Sequence, residues 1–281
     1  MEKVKLIDAL KKGYPVNNKG YFDSYKKNIF KEQMSEQFQD MFDEGSGGEL
    51  HSKAEAIHSS SMLSYNFFHW IDEKHPFKWE DIKYTQVFFE VKMKTIKNSP
   101  APANMDVVLI DEDNQHLLFI ESKFTEYTKT EKFKLSDSYK KDNSKWYNKS
   151  VSWGKIAKYI PDKKYKYQEG IKQLITHLFG IHSQFVEPCN TFKNVGINFE
   201  TAKLRFITLI FEPAQRFKDE YTAYQNYKEL FDNFISIIEN AGLKVVPEWK
   251  SYSEFWEIMK EQMPKDLNDY IFKRYMQFAK K

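Results

Sequence analysis

Between Asn104 and Tyr127 the chain reads NMDVVLIDEDNQHLLFIESKFTEY, two apolar runs separated by the polar stretch DEDNQ. Runs of this length flanking a turn-forming cluster predict two adjacent β-strands. Asp106 sits at the mouth of the first run, and Glu121-Ser122-Lys123 lies near the end of the second. An unpaired buried ion costs several kcal/mol even after relaxation, so charges admitted into apolar strands call for a reason. Glu121 and Lys123 are two residues apart, which puts both on one face of a strand, and Asp106 can reach that face from the neighbouring strand. Two carboxylates and an amine gathered at a strand end suit a hard divalent cation and phosphodiester chemistry. The competing reading is a cross-strand salt bridge on a half-buried sheet.

The acid-x-Lys spacing alone carries little weight. It occurs six times in this lysine-rich chain, at 72/74, 81/83, 90/92, 121/123, 162/164 and 248/250. Only Glu121/Lys123 follows a long apolar strand that is itself preceded by a strand opening on an aspartate. Glu90/Lys92, in VFFEVKM, is the nearest rival, but no acid-bearing hairpin partner precedes it.

Around this hairpin the periodicity predicts an ordered set of elements. Residues 1–44 read as helical, with an amphipathic stretch over 27–42, and GSGGEL at 45–50 breaks the pattern. Ser59, Ser60 and Ser61 offer N-caps for a helix in MLSYNFFHWIDE, with Leu63, Phe67 and Trp70 or Ile71 as its apolar stripe. Strands are expected at 84–95, 104–110 and 117–124. A helix over 167–179 is expected to end at Gly180. A buried strand at 203–211, a helix over 221–241 stopped by Gly242, and a short strand in LKVV follow, with two helices near 253–262 and 266–279. The expected fold is therefore α/β, an αβββαβ core with a central mixed sheet and helical N- and C-terminal additions. The corresponding division is an extension at 1–44, a core at 45–250 and terminal helices at 251–281.

The strand-opening aspartate, the Glu-x-Lys strand and the αβββαβ order resemble the PD-(D/E)XK nuclease superfamily. GGEL, SSSMLSYNFF and ESKFTE are also similar to stretches of a family of bacterial restriction endonucleases. Met105 stands before Asp106 where the pattern's name has proline, at a position that varies in the superfamily. The resemblance implies a restriction-endonuclease-like enzyme that hydrolyses phosphodiesters with Mg²⁺, or alternatively Mn²⁺. It assigns Asp106 and Glu121 as metal ligands, with the backbone carbonyl of Ser122 as a third. It gives Lys123 the task of orienting the attacking water or helping to deprotonate it; two adjacent acids stabilise the lysine's charge, which favours orientation. Glu49 is a candidate outer ligand, with Glu55 as its competitor and a plain surface acid as the alternative. Gln173 resembles the glutamine that several such nucleases project from the next helix, against the alternative of an exposed amide. Glu126 is expected to lie beyond the strand end.

Composition narrows the remaining classes. One cysteine, Cys189, precludes an internal disulfide and a cysteine-rich zinc module. The seven histidines do not cluster; His177 and His182 are five apart, and each reads as a surface or packing residue. No apolar run approaches ~18 residues, and the first residues carry charges throughout, so a membrane span and a leader are not expected and a cytoplasmic location is. The net charge is only +3, but residues 129–166 hold twelve lysines against four acids and seven interleaved aromatics. Lysines neutralise phosphates and aromatic faces stack on bases. Lys140, Lys141, Lys145, Trp146 and Lys149 are thus candidate nucleic-acid contacts, the competing reading being a solvated basic insertion. DNA is the expected partner with RNA open, and cutting both strands would call for a homodimer. The rival from another class is a nuclease-fold module that binds nucleic acid or another partner without cutting.

Overall fold

Residues 107–110, 117–120 and 206–210 are almost completely buried, so both faces of the strands that carry them are covered. Such strands read as continuous apolar runs rather than alternating ones. The computed structural model describes residues 5–45, 50–51, 53–97, 101–129, 139, 170–239, 241 and 243–280. Among these, six strands form one mixed sheet in sequential order: β1 (Phe77–Trp79), β2 (Ile82–Met93), β3 (Ala103–Asp111), β4 (His116–Lys123), β5 (Lys203–Ile210) and β6 (Pro247–Ser251). β1 to β4 are antiparallel neighbours, while β4–β5 and β5–β6 are parallel. A parallel neighbour requires a crossover. α4 (Gly170–Ser183) and α5 (Asn190–Val195) lie between β4 and β5, and α6 (Lys218–Glu239) lies between β5 and β6.

Alternation along the strands sorts the core into two layers. Val107, Leu109, Leu118, Ile120, Ile207 and Leu209 face one side. There they pack with α3 (Ser60–Phe68), with α1 (Leu6–Lys11), and with α7 (Tyr252–Met259) and α8 (Lys265–Arg274). Val108, Ile110, Leu117, Phe119, Phe206 and Ile210 face the other side, against α4 and α6. The buried positions of α6, Tyr224, Tyr227, Phe231, Phe234 and Ile238, recur at spacings of three and four, one helical stripe. The α/β architecture with a mixed sheet flanked by helices is the one expected, and β2, β3 and β4 fall where the periodicity puts three strands.

Several local expectations differ, each for a physical reason. The stretch 27–42 is not one helix: two 3₁₀ turns (Tyr25–Asn28, Phe30–Glu32) precede α2 (Glu36–Glu44), and Lys31 and Glu32 have φ of 55° and 54°. Tertiary hydrogen bonds hold this shape. Asn28 donates to the carbonyls of Ala54 and Ala56 at 2.7 Å each, and the Phe30 N–H donates to Asn66. α3 carries no stripe, because every residue from Ser61 to Phe68 is buried; its N-cap is Ser59, whose hydroxyl accepts from the Met62 N–H. α4 runs through Gly180 instead of ending there. A Cβ at that position would meet Met93 Cβ at 3.0 Å and Ala103 Cβ at 3.5 Å, so glycine permits close helix–sheet approach rather than a cap. The short strand is Pro247–Ser251, not LKVV, while β1 and α5 had no expected counterpart. The glycine turn at 46–48, Glu49, the stop at Gly242 and Lys140, Lys141, Lys145, Trp146 and Lys149 lie outside the described residues.

Gly180→Val is expected to lower stability by about 1–3 kcal/mol, the usual range for overpacking a core. Urea unfolding measures it; an unchanged midpoint would mean that α4 does not lie tightly on Met93.

Candidate active site

The pairing of β3 with β4 runs from Ile110/Leu117 to Val107/Ile120 and goes no further, although β3 continues beside β2 to Ala103. The two strands therefore separate at Asp106 and Ser122. A buried N–H left without an acceptor is costly, and Asp106 supplies one: Ser122 N–H donates to Asp106 Oδ2 at 2.6 Å. In an extended strand a residue's N–H and C=O face the same edge, so the Ser122 carbonyl opens onto the same gap. The Ser122 side chain points to the opposite layer, where its hydroxyl meets Tyr252 Oη at 2.6 Å and donates to the Ser60 carbonyl.

Glu121 and Lys123 share the face covered by α4. They are 1% and 4% exposed, and Lys123 Nζ donates to Glu121 Oε1. The same ammonium donates to Gln173 Oε1 at 2.6 Å, which places the expected glutamine at the site and not on an exposed helix face. One turn further along α4, His177 Nε2 lies 2.7 Å from Glu121 Oε2. This is an ion-pair distance off the hydrogen-bond direction, since neither atom has an aligned hydrogen-bond partner. Thr208, beside Glu121 in the β4–β5 register, also buries a hydroxyl with no partner.

His177 escaped sequence reasoning because its spacing was measured against His182. The informative spacing was to Gln173: i and i+4 on one helix put both side chains on the face that meets β4. Glu126 instead accepts from the backbone N–H groups of Phe124 and Thr125 at 2.6 and 2.9 Å, closing the strand end. Glu55 does not line the cleft that holds Asp106 and Lys123, and Glu49 lies outside the described residues. The rival pair Glu90/Lys92 is divided: Glu90 is buried and lines that cleft, whereas Lys92 is exposed.

The electrostatics follow from this packing. Burial, reinforced by Glu121 and Glu90, raises the Asp106 carboxyl well above its ordinary value, against Lys123 and the Ser122 N–H. Burial acts on Glu121 in the same direction, but His177 and Lys123 overcome it and hold that carboxyl at about 2. Burial acts to discharge Lys123, yet Glu121, Glu126 and Asp106 outweigh it and keep the amine above its usual range. Lys123 is thus a fixed positive charge. The cleft has a volume of ≈ 400 Å³ and is lined also by Lys53, His58, Lys129 and the Ser59–Ser61 end of α3.

The donors suit a hard cation. Glu121 Oε2 is a buried acceptor 2.7 Å from His177 Nε2, and Asp106 and the Ser122 carbonyl are oxygen donors where β3 and β4 part. Among the described residues, no group of three or more His, Cys, Asp or Glu side chains is arranged to hold an ion. Mg²⁺ commonly takes only one or two carboxylates and keeps several waters, so two acids and a carbonyl are chemically the kind of donors it takes.

A family model described as REase-ARP, Restriction Endonuclease associating with ARP, matches residues 7–276. The chain belongs to this family. The REase-ARP match extends from α1 past α8, and with the sheet order it supports a PD-(D/E)XK-like, restriction-endonuclease-associated lineage. Comparison with curated proteins and with solved structures gave no match.

The two carboxyls predict opposite pH effects in metal-free protein. Asp106, raised in the folded state, binds a proton there first, so acidification from neutral towards about pH 4 should stabilise the fold. Glu121, depressed in the folded state, stabilises above about pH 4, and that contribution is lost as the pH falls towards about 2. In EDTA, Asp106→Asn should melt above wild type at neutral pH and lose the gain on acidification. Glu121→Gln should be less stable at neutral pH by on the order of 3 kcal/mol, because Lys123 loses its buried partner, and should lack the acid-limb decline. Circular-dichroism melts across pH check both; an Asp106→Asn midpoint equal to wild type would contradict the like-charge environment.

Proposed function

We propose that this chain is a Mg²⁺-dependent endonuclease that hydrolyses DNA phosphodiesters, in restriction or a related defence role in the cytoplasm, with Mn²⁺ able to replace Mg²⁺. The observation that carries the reading is the meeting of Asp106, Glu121 and Lys123 where β3 and β4 separate, with Gln173 supplied by α4. Asp106, Glu121 and the Ser122 carbonyl would hold the cation. Bound there, it would lower the pKa of a coordinated water and offset charge on the phosphorus. Lys123, kept charged by its carboxylate neighbours, would orient the attacking water and the scissile phosphate rather than accept a proton. Gln173 fixes the Lys123 ammonium through its amide oxygen, and α4 and α6 keep bulk water from Glu121.

Lys140, Lys141, Lys145, Trp146 and Lys149 would track a nucleic-acid backbone, a role supported by charge and aromatic content. DNA is preferred to RNA in this reading, and a homodimer would supply the two sites that double-strand cleavage requires. The family's description adds association with ARP to the proposal. A second reading, a nuclease-fold module that binds without cutting, is favoured by one observation. Among the described residues no three metal-ligating side chains converge.

Plasmid nicking that requires Mg²⁺ and disappears in Asp106→Ala would support the enzyme; binding without nicking would favour the module. Lys123→Ala should retain cation binding by calorimetry yet cut about two orders of magnitude more slowly, the scale of one missing electrostatic contributor. Wild-type cleavage by that variant would reduce Lys123 to a salt-bridge partner.

Replacing Lys140, Lys141, Lys145 and Lys149 together by glutamine should weaken binding to unrelated DNA sequences. It should also flatten the salt dependence by roughly 0.7 to 0.9 in log–log slope for each phosphate that a lysine no longer neutralises. Fluorescence anisotropy over a salt series measures the slope; an unchanged value would return 129–166 to a solvated insertion. Trp146→Ala should harm single-stranded more than duplex binding, by about 1–3 kcal/mol, the worth of stacking one base on an aromatic ring.

A further inference from the structure

His177 has no role in the reading above, yet it makes one of two contacts that enclose the Glu121 carboxylate. Lys123 Nζ donates to Oε1, and His177 Nε2 stands 2.7 Å from Oε2. Both oxygens of an acid that would hold the cation are thus already engaged by nitrogen-bearing side chains. Access follows the same pattern. Lys123 and His177 line the ≈ 400 Å³ cleft together with Asp106 and Gln173, whereas Glu121 is not among the described residues that line it. A cation in the cleft therefore meets Glu121 only after one of its two partners moves.

The two contacts are unequal. The Lys123 ammonium is fixed twice, by Glu121 and by Gln173 Oε1 at 2.6 Å, and displacing it would leave a buried ion unpaired. The His177 contact is off the hydrogen-bond direction, and the other ring nitrogen, Nδ1, is buried without a hydrogen-bond partner among the described residues. Otherwise the ring meets Phe206 edge-on, 6.2 Å between centroids, which adds no hydrogen bond. Turning this ring costs less than breaking two aligned contacts of an ammonium. Because it borders the cleft, the ring also has space there to turn into.

We propose that His177 is the residue a divalent cation displaces from Glu121: it holds Oε2 in cation-free protein and yields that place when the cation binds. This rests on the cation-dependent reading above. His177 is then a positioning residue that acts through Glu121 and restrains cation affinity. Only molecules whose carboxylate is clear of the ring take the ion, and the apparent affinity is reduced by that fraction. The same contact supports the cation-free fold, since Glu121 Oε2 would otherwise be buried with no partner. Stability without the cation and affinity for it pull in opposite directions at this residue.

The test is Mn²⁺ binding to the full-length protein, followed by the electron paramagnetic resonance signal of free Mn²⁺, with thermal melts in EDTA alongside. His177→Leu should bind Mn²⁺ on the order of tenfold more tightly, the scale of one charge-assisted contact that the ion no longer has to replace, while melting lower than wild type in EDTA. His177→Gln, whose amide can serve the same oxygen, should return both properties towards wild type. Unchanged affinity in a folded His177→Leu protein would overturn the proposal, as would affinity and melting temperature falling together, which would mark a purely supporting role. If His177→Leu does not fold, wild type decides. With isotope-labelled histidine, and the His177 resonance identified by its loss in His177→Gln, saturating Mg²⁺ should move that ring's nitrogen signals towards those of an imidazole free of a carboxylate. Signals unmoved at saturation would overturn the proposal. All these outcomes leave wild-type cation binding, and so the cation-dependent reading, standing; absence of Mn²⁺ binding by wild type would overturn both.

Discussion

The hydrogen bond from the Ser122 N–H to the Asp106 carboxylate is the joint on which the candidate site depends. β3 and β4 stop pairing at Val107/Ile120, one residue short of Asp106 and two short of Ser122, and without a substitute acceptor the Ser122 amide would be buried unsatisfied. A side chain can replace a ladder carbonyl only where two strands diverge. The divergence is what makes room for a carboxylate beside a backbone amide and carbonyl in one place. Asp106 is therefore a structural acceptor at the point where the two strands part.

The rest of the site is a balance of charges that burial makes severe. Glu121 and Lys123 sit in a layer of Phe119, Phe206 and Leu174, where either ion alone would cost several kcal/mol. Each is tolerable because the other is present, and Gln173 and His177 on α4 complete the arrangement. The close seating of α4 traces to Gly180, which brings the helix against Met93 and Ala103. A glycine at the far end of the helix thus contributes to how near Gln173 and His177 come to β4.

The apolar runs around 107–110, 117–120 and 206–210 suit strands covered on both faces, and so a mixed sheet with three successive strands and the positions of Asp106, Glu121 and Lys123 on two of them were legible in the primary structure. Local alternation dictates which residues share a face, which is why the Glu-x-Lys pair was readable without coordinates. The short strand before β2, the helix Asn190–Val195 and the shape of residues 25–32 were not readable, because long-range partners such as Asn66 and Ala54 decide them.

Sequence by itself determined the α/β class and the acids and amine of the central hairpin, since periodicity and the cost of buried charge act over a few neighbouring residues. Only the tertiary structure decided that Gln173 reaches Lys123 and His177 reaches Glu121, that Glu90 faces Asp106, and that Gly180 serves close approach rather than a helix end. Those outcomes depend on which element packs against which, and a helix face or a strand neighbour is a property of the packed pair. Glu90 shows the difference most plainly. In the sequence it was a rival to Glu121, and in the fold it stands across the neighbouring strand from the same aspartate.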